Sequence, residues 1–324
     1  MKPGRRDFLR LAMGSAVVPA LSRSALAETY PSRPIHLIVG FAAGGAMDVN
    51  ARLMGQWLSE RLGRQFIIEN RTGAGGNVAT EAVVRASPDG YTLLTCGTAN
   101  AVNASLYAKL DFNFIRDIAP VAGLVRLPLV LIVHPSVPTK TAAELIAYAK
   151  ANPGKLNFGS SGIGTSEHLA LEEFKMMTGV NVIHVPFRGG APALTALLGG
   201  QVQAQFAVGS TGLAGIKAGM RPLAVTTATR WAALPDVPTL GETVPDYDVS
   251  VWYGVGAPRN TPAPIIEKLN KEINAGFADP RLKARLSDLG GTPFAGSSDE
   301  FGKFIADETE NWGKVIKEAN IKPE

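Results

Sequence analysis

The stretch IHLIVGFAAGGAMDVNARLMGQWL, residues 35–58, carries the plan of the chain in miniature. Residues 35–39 are an apolar run that reads as a buried strand, and residues 40–48 form a glycine-rich loop. Residues 49–62 then place Val49, Leu53, Trp57 and Leu58 on one helical face, and Gly63 stops the helix. A strand that enters a helix through such a loop turns free backbone N–H groups and the positive end of the helix dipole outward, a geometry suited to an anion. The loop nevertheless holds no lysine. It fails the dinucleotide fingerprint because it reads G-x-x-x-G-G, with alanine at position 42. It fails the phosphate-loop pattern because Ala46 stands where the lysine belongs. No cofactor is expected.

The same unit repeats outward from this stretch. A second strand at 66–69, a helix at 78–85 and a strand at 91–95 complete a βαβαβ pattern, which implies a parallel sheet with right-handed crossovers. After an irregular stretch the pattern restarts. Strands are predicted at 129–133, 156–159, 182–185, 203–207 and 223–226, with helices at 142–151, 166–178, 191–198 and 213–218 between them. A further strand at 249–255 and helices at 264–278, 281–289 and 299–319 are too little for a third domain and are expected to complete the first sheet. The fold class is therefore α/β with two lobes, each an open, mainly parallel sheet flanked by helices. Lobe 1 comprises residues 28–126 plus 246–324, and lobe 2 is the insertion 127–245. Chain crossings near 124–128 and 244–250 form a hinge, with a cleft between the lobes.

Three more loops fall at the carboxyl ends of strands, where open α/β sheets bind ligands. NFGSSGIGTSEH contributes Ser160, Ser161, Thr165 and His168; HVPFRGGAPA contributes Phe187, Arg188 and Gly189; TCGTAN contributes Thr98 and Asn100. The serine loop is no nucleophile elbow, since the pattern fails at Ile163 when centred on Ser161 and at Phe158 when centred on Ser160. A hydrolase or transferase using Ser161 and His168 also lacks a third group to orient the histidine. His168 reads first as a local hydrogen-bonding partner and Asp48 as a cap of its own helix, while Arg188 reads equally as a surface ion-pair member and Trp252 and Tyr253 as core aromatics. Loops from both lobes facing one cleft suit a small anion clamped between them.

Composition narrows the rest. Cys96 is the sole cysteine and histidines number 4, so neither an internal disulfide nor a dedicated zinc site is expected. The formal net charge of +4 resides in residues 1–27, where Lys2, Arg5, Arg6, Arg10 and Arg23 face Asp7 alone. The remainder is neutral, which argues against nucleic acid or an acidic membrane as a partner. Residues 1–27 read as a cleavable signal peptide: Arg5-Arg6 ahead of Phe8 and Leu9, a weakly apolar region, and Ala25-Leu26-Ala27 as the cleavage site. The apolar region is too short to cross a bilayer. Export by the twin-arginine route to the periplasm is expected, with cleavage near Ala27.

The stretches YPSRPIHLIVGFAAGGAMDVNARL, IENRTGAGGN, PDGYTLL, FGSSGIGTSEHLALEEF, VPFRGGAPALTALLGGQV, LPDVPTLGE and WYGVGAPRNTP, in this order and spacing, resemble the Bug/TctC-type receptors of tripartite tricarboxylate transporters. The resemblance covers the chain from Tyr30 to the C-terminal helix. It implies a Venus-flytrap periplasmic binding protein without catalytic chemistry. Such a protein captures a small carboxylate and delivers it to large and small membrane permease subunits; a monomer is expected. It further implies that the first loop, with Phe41, Ala43, Gly44, Gly45 and Asp48, holds one carboxylate through backbone groups and ordered water. Residues 160–165 and 187–189 would hold the other end. Oriented amides and water suffice for a carboxylate, which accounts for the missing lysine. Two departures bear on the ligand. Ala46 and Met47 replace the serine or threonine frequent in the family. Ala207 stands where many members carry an aspartate used for amino groups, which favours a dicarboxylate, an oxo-acid or an aromatic acid. A periplasmic sensor that presents its closed form to a signalling partner would share all these features.

Overall fold

Ile35–Val39 forms strand β1, with every side chain buried except the half-buried His36. The computed structural model describes residues 30–107, 109–318 and 321–322, so the signal segment at 1–27 lies outside the described residues. From β1 the chain continues through α1 (Ala46–Leu62), β2 (Phe66–Asn70), α2 (Asn77–Val84), β3 (Thr92–Gly97), α3 (Thr98–Leu106) and α4 (Phe114–Asp117) to β4 (Ile118–Val133). Then follow α5 (Ala142–Ala151), β5 (Asn157–Ser160), α6 (Ser166–Thr178), β6 (Ile183–Pro186), α7 (Gly190–Leu198), β7 (Ala204–Val208), α8 (Gly209–Lys217) and β8 (Arg221–Val225). The chain ends with β9 (Ser250–Pro258), α9 (Ala263–Gly276), α10 (Pro280–Asp288), β10 (Thr292–Pro293) and α11 (Ser298–Glu318).

The strands are ordered β2-β1-β3-β9-β4-β7-β5-β6, with β8 and β10 also on β4. β1 pairs in parallel with β2 and β3, and β5 pairs in parallel with β6 and β7. The strands at the junction are antiparallel, because they carry the chain out of one lobe and back from the other. The expectation of two separate sheets needs amendment here. β4 runs 16 residues without a break: Ile118 to Pro128 pair with β9, and Leu129 to Val133 pair with β7 and β8. Its first part reads as irregular in sequence because Pro120, Gly123 and Pro128 interrupt it. The ladder absorbs them with register shifts at Pro120/Ala122 and Gly123/Val125.

Packing explains the same strand. Leu129, Val130, Leu131, Ile132 and Val133 are all fully buried, and each such side chain stabilises the fold by about 1.5–3 kcal/mol. The C-terminal helix covers the first sheet through Phe301; a side chain at Gly254 would begin 2.1 Å from its ring. Phe158, Phe174 and Phe206 of the second lobe pack ring against ring with Tyr247 of the returning chain, whose hydroxyl donates to the Ala170 carbonyl at 2.6 Å. At the crossings, the Thr226 hydroxyl accepts from the Leu129 N–H at 3.0 Å and donates to the Val249 carbonyl at 2.6 Å. Among the described residues no helix is long and apolar enough to cross a membrane, and no three His, Cys, Asp or Glu cluster to hold a metal.

Candidate functional site

The strands of both lobes point their carboxyl ends at one place, so the helices that follow them start there together. α1 and α3 begin at Ala46 and Thr98 in the first lobe; α6, α7 and α8 begin at Ser166, Gly190 and Gly209 in the second. Between them lies a cavity lined by Phe41, Gly45, Ala46, Met47, Thr98, Ala99 and Tyr253 from one side. Ser161, Thr165, Ser166, Glu167, Gly190 and Val208 line the other. A helix start leaves its first N–H groups without intrahelical partners. In α6 the Thr165 hydroxyl caps one of them, but the cap residues of α1, α7 and α8 (Gly45, Gly189 and Val208) supply no side-chain acceptor. The cavity thus gathers uncapped amides and aligned dipoles, and no Lys, Arg or His among the described residues lines it.

Two side chains in it stand out. Thr98 is 2% exposed, and its hydroxyl has no hydrogen-bond partner among the described residues. Buried hydroxyls are nearly always bonded, so this one is a candidate for a ligand atom. Glu167, in the first turn of α6, is equally buried. Its Oε2 accepts the Ser161 N–H and, at 3.5 Å, the Gln205 side-chain amide. Burial pushes its carboxyl up to about 7, against the opposing pull of the Ser161, Gln205 and Val208 donors.

The residues singled out in the sequence divide into those at the cavity and those behind it. Phe41, Gly45, Thr98, Ser161 and Thr165 line it. Ala43 and Gly44 are exposed. The Asp48 carboxylate accepts from the Gly44 N–H, Arg52 Nε and Asn70 Nδ2, each at 2.9 Å. Burial alone would raise its pKa, but these donors hold it below the usual carboxylate range, so it structures its own loop. Asn100 accepts from the Gly97 N–H and donates to the Thr80 hydroxyl, both at 2.8 Å, which fixes the start of α3. Ser160 turns inward to His184 Nε2 at 2.6 Å. His168 accepts the Gly164 N–H on Nδ1 at 3.1 Å, stacks on His184 with centroids 4.0 Å apart, and does not line the cavity. Ala207 is core, with only its neighbour Val208 at the cavity. Tyr253 faces the cavity while Trp252, on the opposite face of β9, packs on Phe301 and Phe304.

Phe187 and Arg188 line a wider outer groove that meets the cavity at Phe41 and Ser161. Here the lobes touch: the Ala42 N–H donates to the Arg188 carbonyl at 3.1 Å. Gly189 stands at φ +149°, which L side chains rarely adopt, and a Cβ there would crowd the Ala42 nitrogen at 3.0 Å. Sequence reading did not name Ala99, Ser166, Glu167, Gly190 or Val208 as cavity walls. An acidic residue one step into a helix that follows a glycine loop was the available indication for Glu167.

A family model described as the tripartite tricarboxylate transporter family receptor matches residues 50–321. The chain belongs to this family. Among solved structures, R. palustris Rpa4515 with adipate is similar at 38% identity and TM-score 0.89, covering 91% of this chain and 100% of that one. The periplasmic binding protein BugD matches at 32% identity and TM-score 0.87, with the same coverage of both chains. MatC from Rhodopseudomonas palustris with bound malate matches at 30% identity and TM-score 0.83, over 89% of this chain and 100% of that one. This receptor therefore has the two-lobed fold of a periplasmic binding protein, and its class is solute binding rather than catalysis.

Proposed function

We propose that this receptor captures a small carboxylate in the cavity between its lobes and hands it to the large and small membrane subunits of a tripartite transporter. One observation carries the reading: helix starts from both lobes, those of α1, α7 and α8 among them without a side-chain cap, converge on a cavity that no cation among the described residues lines. Oriented amides bind a carboxylate by charge-assisted hydrogen bonds, with Phe41, Met47, Val208 and Tyr253 as apolar walls for its carbon frame. The adipate and malate bound by the two similar proteins belong to this chemical class. The lobe division at 126/127 and 245/246 is part of the proposal. The exchange of β4 partners between Pro128 and Leu129 supports it. So are the monomeric state, export of the precursor through its Arg5-Arg6 segment, and cleavage near Ala27.

A thermal-shift screen of carboxylic acids on the mature protein tests this reading. A ligand at about a hundredfold excess over its Kd should stabilise the protein by roughly 2.7 kcal/mol. Gly45→Val supplies the control. A side chain there begins 3.6 Å from the Gly190 nitrogen of the other lobe, so the ligand-induced shift should vanish. Loss of a tolerated N-cap should lower ligand-free stability by only about 1 kcal/mol. A shift retained in full by Gly45→Val would place the binding site elsewhere.

A further inference from the structure

Among the residues that line the cavity, Glu167 alone is a carboxylic acid. The Ser161 N–H and the Gln205 side-chain amide both donate to its Oε2, and the Ser161 hydroxyl and the Val208 amide also bond to the carboxyl. Oε1 lies on the Gly190 side, where it and the Thr211 hydroxyl each stand 3.4 Å from the point at which a side chain at 190 would begin. The Thr211 hydroxyl, 5% exposed as a residue, has no partner among the described residues. Among the described residues no cation is ion-paired with Glu167. A resident carboxylate inside a site for carboxylates would repel its own ligand.

We infer that Glu167 is a ligand-binding residue that acts in its neutral form: Oε2 stays on the Ser161 amide, and a proton taken up from solvent sits on Oε1 and is donated to the ligand's carboxylate. This rests on the carboxylate reading. Two carboxyl groups that share one site share one proton, because both cannot ionise side by side. The surroundings leave Glu167 to carry that proton. From β5 and its loop it meets the Ser161 amide; from β7, Gln205 and Val208; from α7 and α8, Gly190 and Thr211. From β9 it meets Tyr253, whose phenol burial holds neutral. Asp48 on α1 is bonded within its own loop, and His168, next along α6, turns to Gly164 and Glu172. Burial already raises the empty site's carboxyl to about 7, and a bound anion raises it further. Capture of the ligand therefore takes up a proton at neutral and alkaline pH.

Calorimetric titration with adipate, malate and benzoate between pH 6.5 and 8.5, where these acids stay ionised, tests the inference. For whichever acid binds, affinity should fall about tenfold per pH unit above the Glu167 midpoint. Repeating the titration at pH 8 in buffers of different ionisation enthalpy should give close to one proton taken up per ligand. Glu167→Gln keeps an N–H donor and removes the titration, so its affinity should be flat with pH and its proton uptake nil. An unchanged pH slope and proton uptake in Glu167→Gln would overturn the inference and leave the carboxylate reading standing. If the variant does not fold, the wild-type proton count decides alone, and zero uptake overturns the inference. Binding of none of the three acids, with a neutral or cationic solute bound instead, would remove the carboxylate reading and this inference with it.

Discussion

At the scale of single residues, the hydroxyl of Thr98 separates what stabilises the fold from what serves a ligand. A buried polar group without a partner costs about 1–3 kcal/mol, whereas a hydrogen bond from it to a charged ligand contributes roughly 1.5–3 kcal/mol. Thr98→Val keeps the shape and removes the hydroxyl. The ligand-free melting temperature should therefore stay level or rise, while affinity for the bound acid falls by about ten- to a hundredfold. Loss of both stability and affinity would mark Thr98 as structural only. The sequence named Thr98 because it follows a strand, yet the same reasoning named Asn100, whose amide atoms both serve Gly97 and Thr80. Spacing along a loop shows which residues are near a helix start. It does not show which side chains the loop consumes in holding itself, as Asp48, Ser160 and His168 are consumed here.

Elements with a clean apolar period were legible almost to the residue: α5 and α6 stand at the predicted bounds, Ala142–Ala151 and Ser166–Thr178. The first half of β4 was not, because prolines and glycines break a strand pattern that bulges repair only in three dimensions. Nor was α3 legible, where small and polar residues buried on nearly every side leave no stripe to read. Between α6 and β6 the structure adds a pH response. His184 on β6 is pushed down to about 3, first by burial and then by the charge of neighbouring His168 and Lys175, against the pull of Glu172. Its folded value lies below the unfolded 6.5, so the unfolded chain binds more protons in between. Stability from His184 is therefore present above pH 6.5 and lost as pH falls toward 3. Between pH 7 and pH 5 this term should remove about 2 kcal/mol. His184→Gln should remove that term, so its urea-unfolding free energy should drop less over the same interval. Equal drops in wild type and variant would show that His184 takes its proton in the folded state.

At the scale of the whole molecule, the described conformation is one in which the lobes meet. Val102 and Leu106 of α3 pack with Leu169 of α6 and Ile163 of its preceding loop, away from the ligand cavity. The Ala42–Arg188 backbone hydrogen bond closes the cleft on another side. On the proposed reading, two crossing strands joined at Thr226 would let the lobes swing apart without unfolding either one. Ligand would then shift an equilibrium between open and closed forms, because only the closed form brings both sets of helix starts to it. The apolar contact at Leu106 would bias that equilibrium before any ligand arrives. Leu106→Ala should weaken the closed form, and apparent affinity falls in proportion to the closed population. The loss should be the same factor for two chemically different acids, since Leu106 does not line the cavity. Small-angle scattering should show a larger radius of gyration for ligand-free Leu106→Ala than for ligand-free wild type, with equal radii once both are saturated. A variant with wild-type affinity and wild-type radius would mean that the lobe contact contributes nothing to closure, and that the cavity's amides alone draw the lobes together.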